Sequence, residues 1–191
     1  MFGPSGAGRS TLFHIVTGLI PADAGQIELD RQKISHLPMY RRARLGLAYV
    51  PQELPIFDSG LNSDQNFEFA PQGSGADNGR LATGTEAILQ ESDLGHLRKK
   101  TSDQLSGDEH RWVEIARAIA TRPSYLLLDE PPMKAEPAKL DALLTLIQLA
   151  SQRGIGVLVA HQLDQQARRI RDVSDRAYLI SGGQILGTLH G

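Results

Sequence analysis

The chain opens with a glycine-rich octet, Gly3-Pro4-Ser5-Gly6-Ala7-Gly8-Arg9-Ser10. The octet matches the pattern G-x-x-x-x-G-K-[ST] of phosphate-binding loops, except that arginine stands in the lysine position. Glycines let backbone N–H groups turn inward around a phosphate, and the N-terminus of the helix that follows adds partial positive charge. We therefore predict that the octet and Thr11 bind the phosphates of a nucleotide, with the Ser10 hydroxyl on Mg²⁺. The alternative for this motif alone is a glycine loop that only caps a helix.

Two adjacent acids follow an apolar run later in the chain. Leu126-Leu127-Leu128 is typical of a buried parallel strand, and it leads directly into Asp129 and Glu130. We expect this strand to bring Asp129 next to the phosphate loop to hold Mg²⁺, while Glu130 polarises an attacking water. A charged strand end that merely turns into a loop at Pro131 is the alternative. The phosphate loop upstream favours the functional interpretation.

Apolar spacing outlines the rest of the fold. It predicts helices over residues 10–19, 106–120, 137–152 and 163–171, with helical pattern also near residues 86–89. It predicts strands over residues 26–29, 47–50, 125–128 and 155–160, and a hairpin centred on residues 181–183. Residues 71–79 are rich in glycine and polar side chains, which predicts a mobile loop. We expect one α/β domain over residues 1–191, with a mostly parallel sheet and a helical insertion at about residues 60–118.

The composition limits the classes of function. The 191 residues carry a net charge of −2, so no global basic field attracts nucleic acid or anionic lipid. Cysteine is absent, which excludes a disulfide framework and is compatible with a reducing compartment. No apolar run approaches the roughly 20 residues that a membrane-spanning helix needs. We therefore predict a soluble cytoplasmic domain that reaches a membrane only through a partner.

A third motif carries a family resemblance. Leu105-Ser106-Gly107-Asp108-Glu109 resembles the signature sequence L-S-G-G-[QE] of ABC-type ATP-binding cassettes, although taken alone it also describes a serine cap on an amphipathic helix. Gln52 and His161, each after a short strand, match that family's Q-loop glutamine and switch histidine. The resemblance implies a P-loop NTPase fold with ATP and Mg²⁺ as cofactors. It places Gln52 on ATP and the metal with Ser10 and Asp129, and His161 beside Glu130 in catalysis.

Further stretches resemble the ATPase subunits of lipopolysaccharide exporters. They include His36-Leu37-Pro38-Met39, Arg42-Ala43-Arg44-Leu45-Gly46 and the run from Asp175 to Ser181. The resemblance implies a head-to-tail homodimer in which Ser106 and Gly107 of one subunit face the ATP of the other. Closure of the dimer would drive a pair of membrane-embedded permease subunits that extract lipopolysaccharide from the inner membrane. It implies a peripheral location on the cytoplasmic face of that membrane.

Departures from the family pattern keep other functions open. Arg9 replaces a lysine, Asp108 replaces a glycine, Glu136 replaces an aspartate, and residues 132–134 differ from the usual ones. Only Met1 and Phe2 precede the phosphate loop, so we expect the N-terminal strands and the aromatic that stacks on adenine to be missing. These departures favour a second hypothesis, a degenerate nucleotide-binding or assembly module with little ATPase activity. A third hypothesis, an ABC ATPase that acts on nucleic acid or ribosomes, is disfavoured by the mild net charge.

Overall fold

The computed structural model describes residues 1–52, 78–131, 137–164 and 167–189. Its strands are β1 Phe2–Gly3, β2 Glu28–Leu29, β3 Gln32–Lys33, β4 Leu47–Val50, β5 Tyr125–Asp129, β6 Gly156–Gln162, β7 Ala177–Ser181 and β8 Gln184–Leu189. Its α-helices are α1 Arg9–Thr17, α2 Met39–Arg44, α3 Asn78–Glu91, α4 Gly107–Ala120, α5 Pro137–Gln152 and α6 Ala167–Asp172. Short 3-10 turns occupy Gly95–Lys99 and Ser102–Gln104.

Six of these strands form one sheet in the order β4-β5-β6-β1-β7-β8. Neighbouring strands are parallel except for the antiparallel hairpin of β7 and β8. The two-residue strand β1 lies in the middle, with Phe2 opposite His161 on one side and Leu179 on the other. Because parallel strands end at a common edge, β1, β5 and β6 deliver the residues that follow them to the same place.

Helices cover both faces of the sheet, and successive side chains of β5 point alternately to one covered face and then to the other. Leu126 and Leu128 are fully buried on the face that packs with α4 and α5, where they join Ile115 and Leu143. Leu127 points to the opposite face and belongs to the cluster around Phe13 of α1. A strand buried on both faces needs a continuous apolar run, which is what the sequence supplies. The α/β class with a mostly parallel sheet, predicted from the sequence, is confirmed.

Several element boundaries differ from the predictions. The predicted strand at residues 26–29 is shorter, and Glu28–Leu29 pairs with Gln32–Lys33 in a separate two-stranded sheet. The helix predicted over residues 163–171 is wrong at its start, because Leu163 and Asp164 lie in a bend, and the described helix α6 is Ala167–Asp172. The strand predicted at residues 155–160 extends to Gln162, since pairing with β1 prolongs it, so His161 lies within the strand rather than after it.

The inserted region is described only in part. The loop predicted over residues 71–79 is wrong at its end, because α3 already begins at Asn78, and residues 71–77 lie outside the described residues. Of the predicted insertion at residues 60–118, the described portion begins at residue 78 and consists of α3, the two 3-10 turns and α4. Glu136 and residues 132–134 also lie outside the described residues. Within the described ranges, no helix is both long enough and apolar enough to cross a membrane.

Candidate active site

The phosphate loop of residues 4–8 connects β1 to α1. Gly3 has to be a glycine because a Cβ there would overlap the carbonyl oxygen of Ile180. Gly8 ends the loop in the left-handed region, with φ of 94°, and offers no side chain to cap the helix. The Ala7 N–H bonds the Pro4 carbonyl at 3.1 Å, which closes the loop on itself. The uncapped first turn of α1 therefore faces an exposed loop, an arrangement that suits an anion.

The other predicted phosphate-binding residues lie on this loop and on the first turn of α1. Pro4, Ser5, Gly6 and Thr11 are exposed, and Ser10 is half-buried. Helix α1 packs against β5 and β6, the strands that carry the two acids and the histidine. The fold thus brings the loop, Ser10 and Thr11 to the sheet edge where those strands end.

Arg9 is folded back across the loop. Its side chain is 7% exposed, and Nη1 donates to the carbonyls of Gly3 and Pro4, the latter at 2.6 Å. Nη2 donates to a carboxylate oxygen of Glu130. Among the described residues, the buried Nε of Arg9 has no hydrogen-bond partner. The guanidinium is therefore engaged with groups of the protein itself at the mouth of the loop.

Asp129, the last residue of β5, has the properties of a metal ligand. It is 1% exposed, and the Tyr49 hydroxyl donates to Oδ2 at 3.2 Å. Burial and the neighbouring carboxylate raise the pKa of Tyr49, so this hydroxyl keeps its proton. Oδ1 is buried and has no hydrogen-bond partner in the described part of the chain. A buried, unsatisfied carboxylate oxygen is costly unless a cation takes it up, so Asp129 fits the predicted magnesium site.

Glu130 follows Asp129 in a strained backbone conformation. Its φ of 44° lies in the left-handed region, which residues other than glycine seldom adopt. The side chain contacts Arg9 and accepts a hydrogen bond from the Gln162 N–H at 3.3 Å. Burial acts to raise the pKa of Glu130, but the neighbouring His161 and Arg9 outweigh burial and lower it below its ordinary value. Glu130 is therefore a carboxylate at neutral pH, held in one orientation.

His161 lies on the neighbouring strand β6, facing Glu130. Nδ1 is 3.2 Å from Oε2 of Glu130, and Nε2 is 3.3 Å from Oδ2 of Asp164. The ring is buried, and neither nitrogen makes an aligned hydrogen bond within the described residues. The fold thus brings together Arg9, Glu130 and His161, three of the residues that the sequence pattern selects.

Gln52 follows β4 at the end of the sheet where β5 and β6 also end, while Ser106 and Gly107 lie at the N-terminus of α4. Gln52 is exposed two residues after β4. Ser106 caps α4 in a reciprocal box with Glu109: Oγ accepts from the Glu109 N–H at 3.3 Å, and the Ser106 N–H donates to Oε2 at 2.8 Å. Both Ser106 and Gly107 are exposed. In the described part of the chain, no hydrogen bond joins them to the phosphate loop or to Asp129.

Arg111 was missed by the sequence patterns, although it is built into the site. It lies on α4, is 5% exposed, and donates to the carbonyls of Pro51 and Asp129, the latter at 2.8 Å. Its signal in the sequence is an arginine directly before the apolar pair Trp112 and Val113, within a helix that buries all three residues. That signal is weak, because a surface arginine at the same spacing gives the same pattern.

The site combines the phosphate loop, the unsatisfied carboxylate oxygen of Asp129 and the oriented carboxylate of Glu130. Backbone N–H groups at a helix N-terminus can hold phosphate oxygens. Asp129 can take up a hard cation, and the carboxylate of Glu130 can orient a water and accept its proton. Phosphoryl transfer requires positioning and charge stabilisation of this kind.

Comparisons with known proteins identify the family. A family model described as ABC transporter matches residues 1–133. A probable ABC transporter ATP-binding protein of Azorhizobium caulinodans is 43% identical over 186 residues, which cover 97% of this chain and 65% of that relative. The lipopolysaccharide export system ATP-binding protein LptB of Haemophilus influenzae is 36% identical over 196 residues, covering 98% of this chain and 77% of the relative. The chain thus spans 65% of the length of the Azorhizobium protein.

Solved structures share the fold. A nucleotide-free ATP-binding cassette from an ABC transporter superposes with a TM-score of 0.81 at 22% identity, covering 100% of this chain and 79% of the other. A cassette in a dimeric post-hydrolysis state, bound to ADP and Pi, gives a TM-score of 0.77 at 24% identity, with 99% and 83% covered. At these identities the likeness concerns the fold alone.

Proposed function

The chain belongs to the ABC transporter family of ATP-binding proteins, and from this premise we propose that it is the ATP-hydrolysing subunit of a lipopolysaccharide exporter. The observation that carries the proposal is the meeting of three parts at one sheet edge: the phosphate loop, the unsatisfied Asp129 carboxylate and the oriented Glu130. The export substrate is supported by relatives named as lipopolysaccharide export ATP-binding proteins, 36% identical to this chain.

Each residue of the site has a role in this proposal. The loop N–H groups hold the β- and γ-phosphates of ATP, and Ser10, Gln52 and Asp129 hold Mg²⁺. Bound Mg²⁺ neutralises charge on the phosphate oxygens. Glu130 orients the attacking water and accepts its proton, and His161 keeps that carboxylate in place from the neighbouring strand.

The proposed active unit is a head-to-tail homodimer. Ser106 and Gly107 are exposed at the start of α4 and form no hydrogen bond with the phosphate loop in the described part of the chain. A second copy in opposite orientation would present them to that loop, where the N-terminus of α4 favours an anion. A solved cassette of the same fold is described as a dimer bound to ADP and Pi, which supports this assembly.

An open groove supports a permease partner. The groove has a volume of about 1060 Å³ and lies between α2, β4 and α4. Two large apolar side chains border it: Met39 is 43% exposed and Tyr40 is 56% exposed. Glu114 and Arg117 of α4 line its other wall. We assign this groove to the permease subunits, which would hold the chain at the cytoplasmic face of the inner membrane.

Steady-state ATPase and equilibrium nucleotide binding test the proposal together. The chain should hydrolyse ATP only with Mg²⁺, and Glu130→Gln should bind ATP while turnover falls roughly 10²- to 10⁴-fold, the usual contribution of a general base. Export is tested by release of labelled lipopolysaccharide from vesicles that contain the permease pair, with Glu130→Gln as the inactive control. Hydrolysis without such release would refute the export substrate and leave the ATPase assignment intact.

A degenerate nucleotide-binding module is the second candidate, and the contacts of Arg9 favour it. The guanidinium already bonds two loop carbonyls and Glu130, so phosphate has to compete with these partners. Tight ATP binding without measurable turnover by the unmodified chain would select the module over the enzyme.

A further inference from the structure

Arg111 joins the ends of two parallel strands. From α4 its guanidinium donates through Nη1 to the Pro51 carbonyl and through Nη2 to the Asp129 carbonyl, the latter at 2.8 Å. Nη1 is also 3.5 Å from Oε2 of Glu114, so the charge has a partner in this 5% exposed position. The planar guanidinium thus contacts the carbonyl oxygen of Pro51, which directly follows β4, and that of Asp129, the last residue of β5.

The register of the two strands explains why a side chain is needed there. The Tyr125 N–H donates to the Gly46 carbonyl at 2.9 Å, so alternate residues of β5, including Asp129, direct their backbone groups toward β4. However, β4 ends at Val50, opposite Leu128, so the ladder stops before the Gln52 N–H that this register would place opposite the Asp129 carbonyl. The Asp129 carbonyl would therefore be left buried without a ladder partner, and Arg111 supplies the donor.

These two strand ends carry two of the three proposed metal ligands. Gln52 follows Pro51 directly, and Asp129 is itself the end of β5. The Asp129 side chain is held by one hydrogen bond, from Tyr49, while Oδ1 has no hydrogen-bond partner among the described residues. The direction of Oδ1 thus depends on the main chain that Arg111 holds. A positioned carboxylate binds a hard cation better than a mobile one, because less ordering is needed on binding.

We propose that Arg111 is a positioning residue for the Mg²⁺ site, fixing the separation of the strand ends that carry Gln52 and Asp129. This inference rests on the proposed ATP-binding function. Arg111 touches neither nucleotide nor metal and acts through the two carbonyls. Its effect is on the metal requirement of nucleotide binding rather than on the affinity for nucleotide alone.

The test is equilibrium binding of a fluorescent, non-hydrolysable ATP analogue to the whole chain, titrated with Mg²⁺. Arg111→Ala should raise the Mg²⁺ concentration for half-maximal enhancement roughly 10- to 100-fold, as loss of a residue behind a metal ligand commonly does. Arg111→Lys keeps the charge but loses the fork that reaches both carbonyls, so it should give a smaller shift. Affinity measured in EDTA should be the same in all three proteins.

Arg42→Ala is the matched control. Arg42 is 3% exposed and also donates to main-chain carbonyls, those of Ser35, Leu37, Ile15 and Val16. Arg42→Ala should lower the melting temperature about as much as Arg111→Ala does, and it should leave the Mg²⁺ requirement of nucleotide binding unchanged. If Arg111→Ala does not fold, Arg111→Lys decides the question.

The inference is overturned if both Arg111 variants keep the wild-type Mg²⁺ requirement while Asp129→Asn raises it. Where Arg111→Ala does not fold, the same result for Arg111→Lys alone overturns it. It is also overturned if Arg42→Ala raises the requirement as much as Arg111→Ala does, since any loss of stability would then suffice. Wild-type protein that binds no nucleotide would instead refute the proposed function, and this inference with it.

Discussion

The guanidinium of Arg9 donates a hydrogen bond to the carboxylate of Glu130, 121 positions away in the sequence. The two side chains are 7% and 11% exposed, so little solvent screens the pair. The bond connects the phosphate loop directly to the proposed catalytic carboxylate. Two charges that satisfy each other in a buried position resist separation, because either charge left alone would be poorly solvated.

Arg9→Lys should increase the affinity for ATP. The shorter ammonium loses the fork that reaches two loop carbonyls and Glu130 together, so less has to be displaced by phosphate. We expect a gain of roughly tenfold in affinity, which corresponds to about 1.4 kcal/mol. Titration with a fluorescent ATP analogue in the presence of Mg²⁺ measures it.

A double-mutant cycle with Glu130→Gln controls this prediction. The amide removes the charge that holds Arg9, so Arg9→Lys should have a smaller effect in that background. A loss of affinity in Arg9→Lys would mean that the guanidinium binds phosphate itself, contrary to the prediction.

Ser10→Ala combined with Asp129→Ala should abolish the Mg²⁺-dependent part of nucleotide binding. Each residue is proposed to supply one oxygen to the same cation, and a hard cation binds poorly with too few oxygen ligands. Affinity should be compared with Mg²⁺ and with EDTA, using Thr11→Ala as the neighbouring control that removes a hydroxyl without a proposed metal contact. Unchanged Mg²⁺ enhancement in the double variant would disprove the metal assignment.

Asp108→Gly should raise ATP turnover in an Arg9→Lys background, and the rise should depend on protein concentration. Asp108 lies in the first turn of α4, beside Ser106 and Gly107, which the proposed dimer places against the partner's phosphates. A carboxylate about 4 Å from a phosphate is repelled by up to about 4 kcal/mol per charge pair at an effective dielectric of 20. ATPase assays over a range of protein concentrations measure the effect.

Asp108→Gly should also make the fold slightly less stable. An acid in the first turn stabilises a helix by roughly 0.3–1 kcal/mol, so the melting temperature should fall slightly. Asp108→Asn separates charge from backbone effects, and Asp103→Asn, which removes a nearby acid outside α4, serves as its control. A turnover gain that is the same at every concentration would argue against a shared site.

Glu114 should make the fold less stable as pH rises. Burial raises the pKa of Glu114 from 4.5 to about 7, although Arg111 and Arg117 oppose the shift. Between those values the folded chain binds more protons than the unfolded chain, so the free energy of unfolding decreases with increasing pH. The contribution is at most about 3 kcal/mol, complete above pH 7.

Urea denaturation from pH 4.5 to 8 tests this pH dependence. Glu114→Gln lacks the titrating group, and its free energy of unfolding should fall less steeply over that range than that of the wild type. Other groups titrate equally in both proteins, so the difference isolates Glu114. Parallel curves for the two proteins would show that Glu114 keeps an ordinary pKa.

The local sequence determined the class of fold and the local structure around most of the proposed site residues. A glycine octet, an apolar run before two acids and a serine before a helix are features of consecutive residues, and their physical consequences are local. Thus the loop at residues 4–8, the buried strand that ends at Asp129 and the cap at Ser106 are where their residues predict them. The roles of these residues toward ATP and Mg²⁺ stay predictions.

Contacts between distant segments were decided only by the tertiary structure. Nothing local in the sequence shows that Arg9 turns back to Glu130, or that Arg111 donates to the Asp129 carbonyl where β4 has ended. The extension of β6 through His161 likewise depends on pairing with Phe2, 159 positions earlier. Such contacts follow from which strands become neighbours in the sheet and where each one ends. A backbone carbonyl left without a partner accepts a hydrogen bond from a side chain that the packing brings within reach. That side chain can belong to a distant part of the sequence, so local sequence patterns do not identify it.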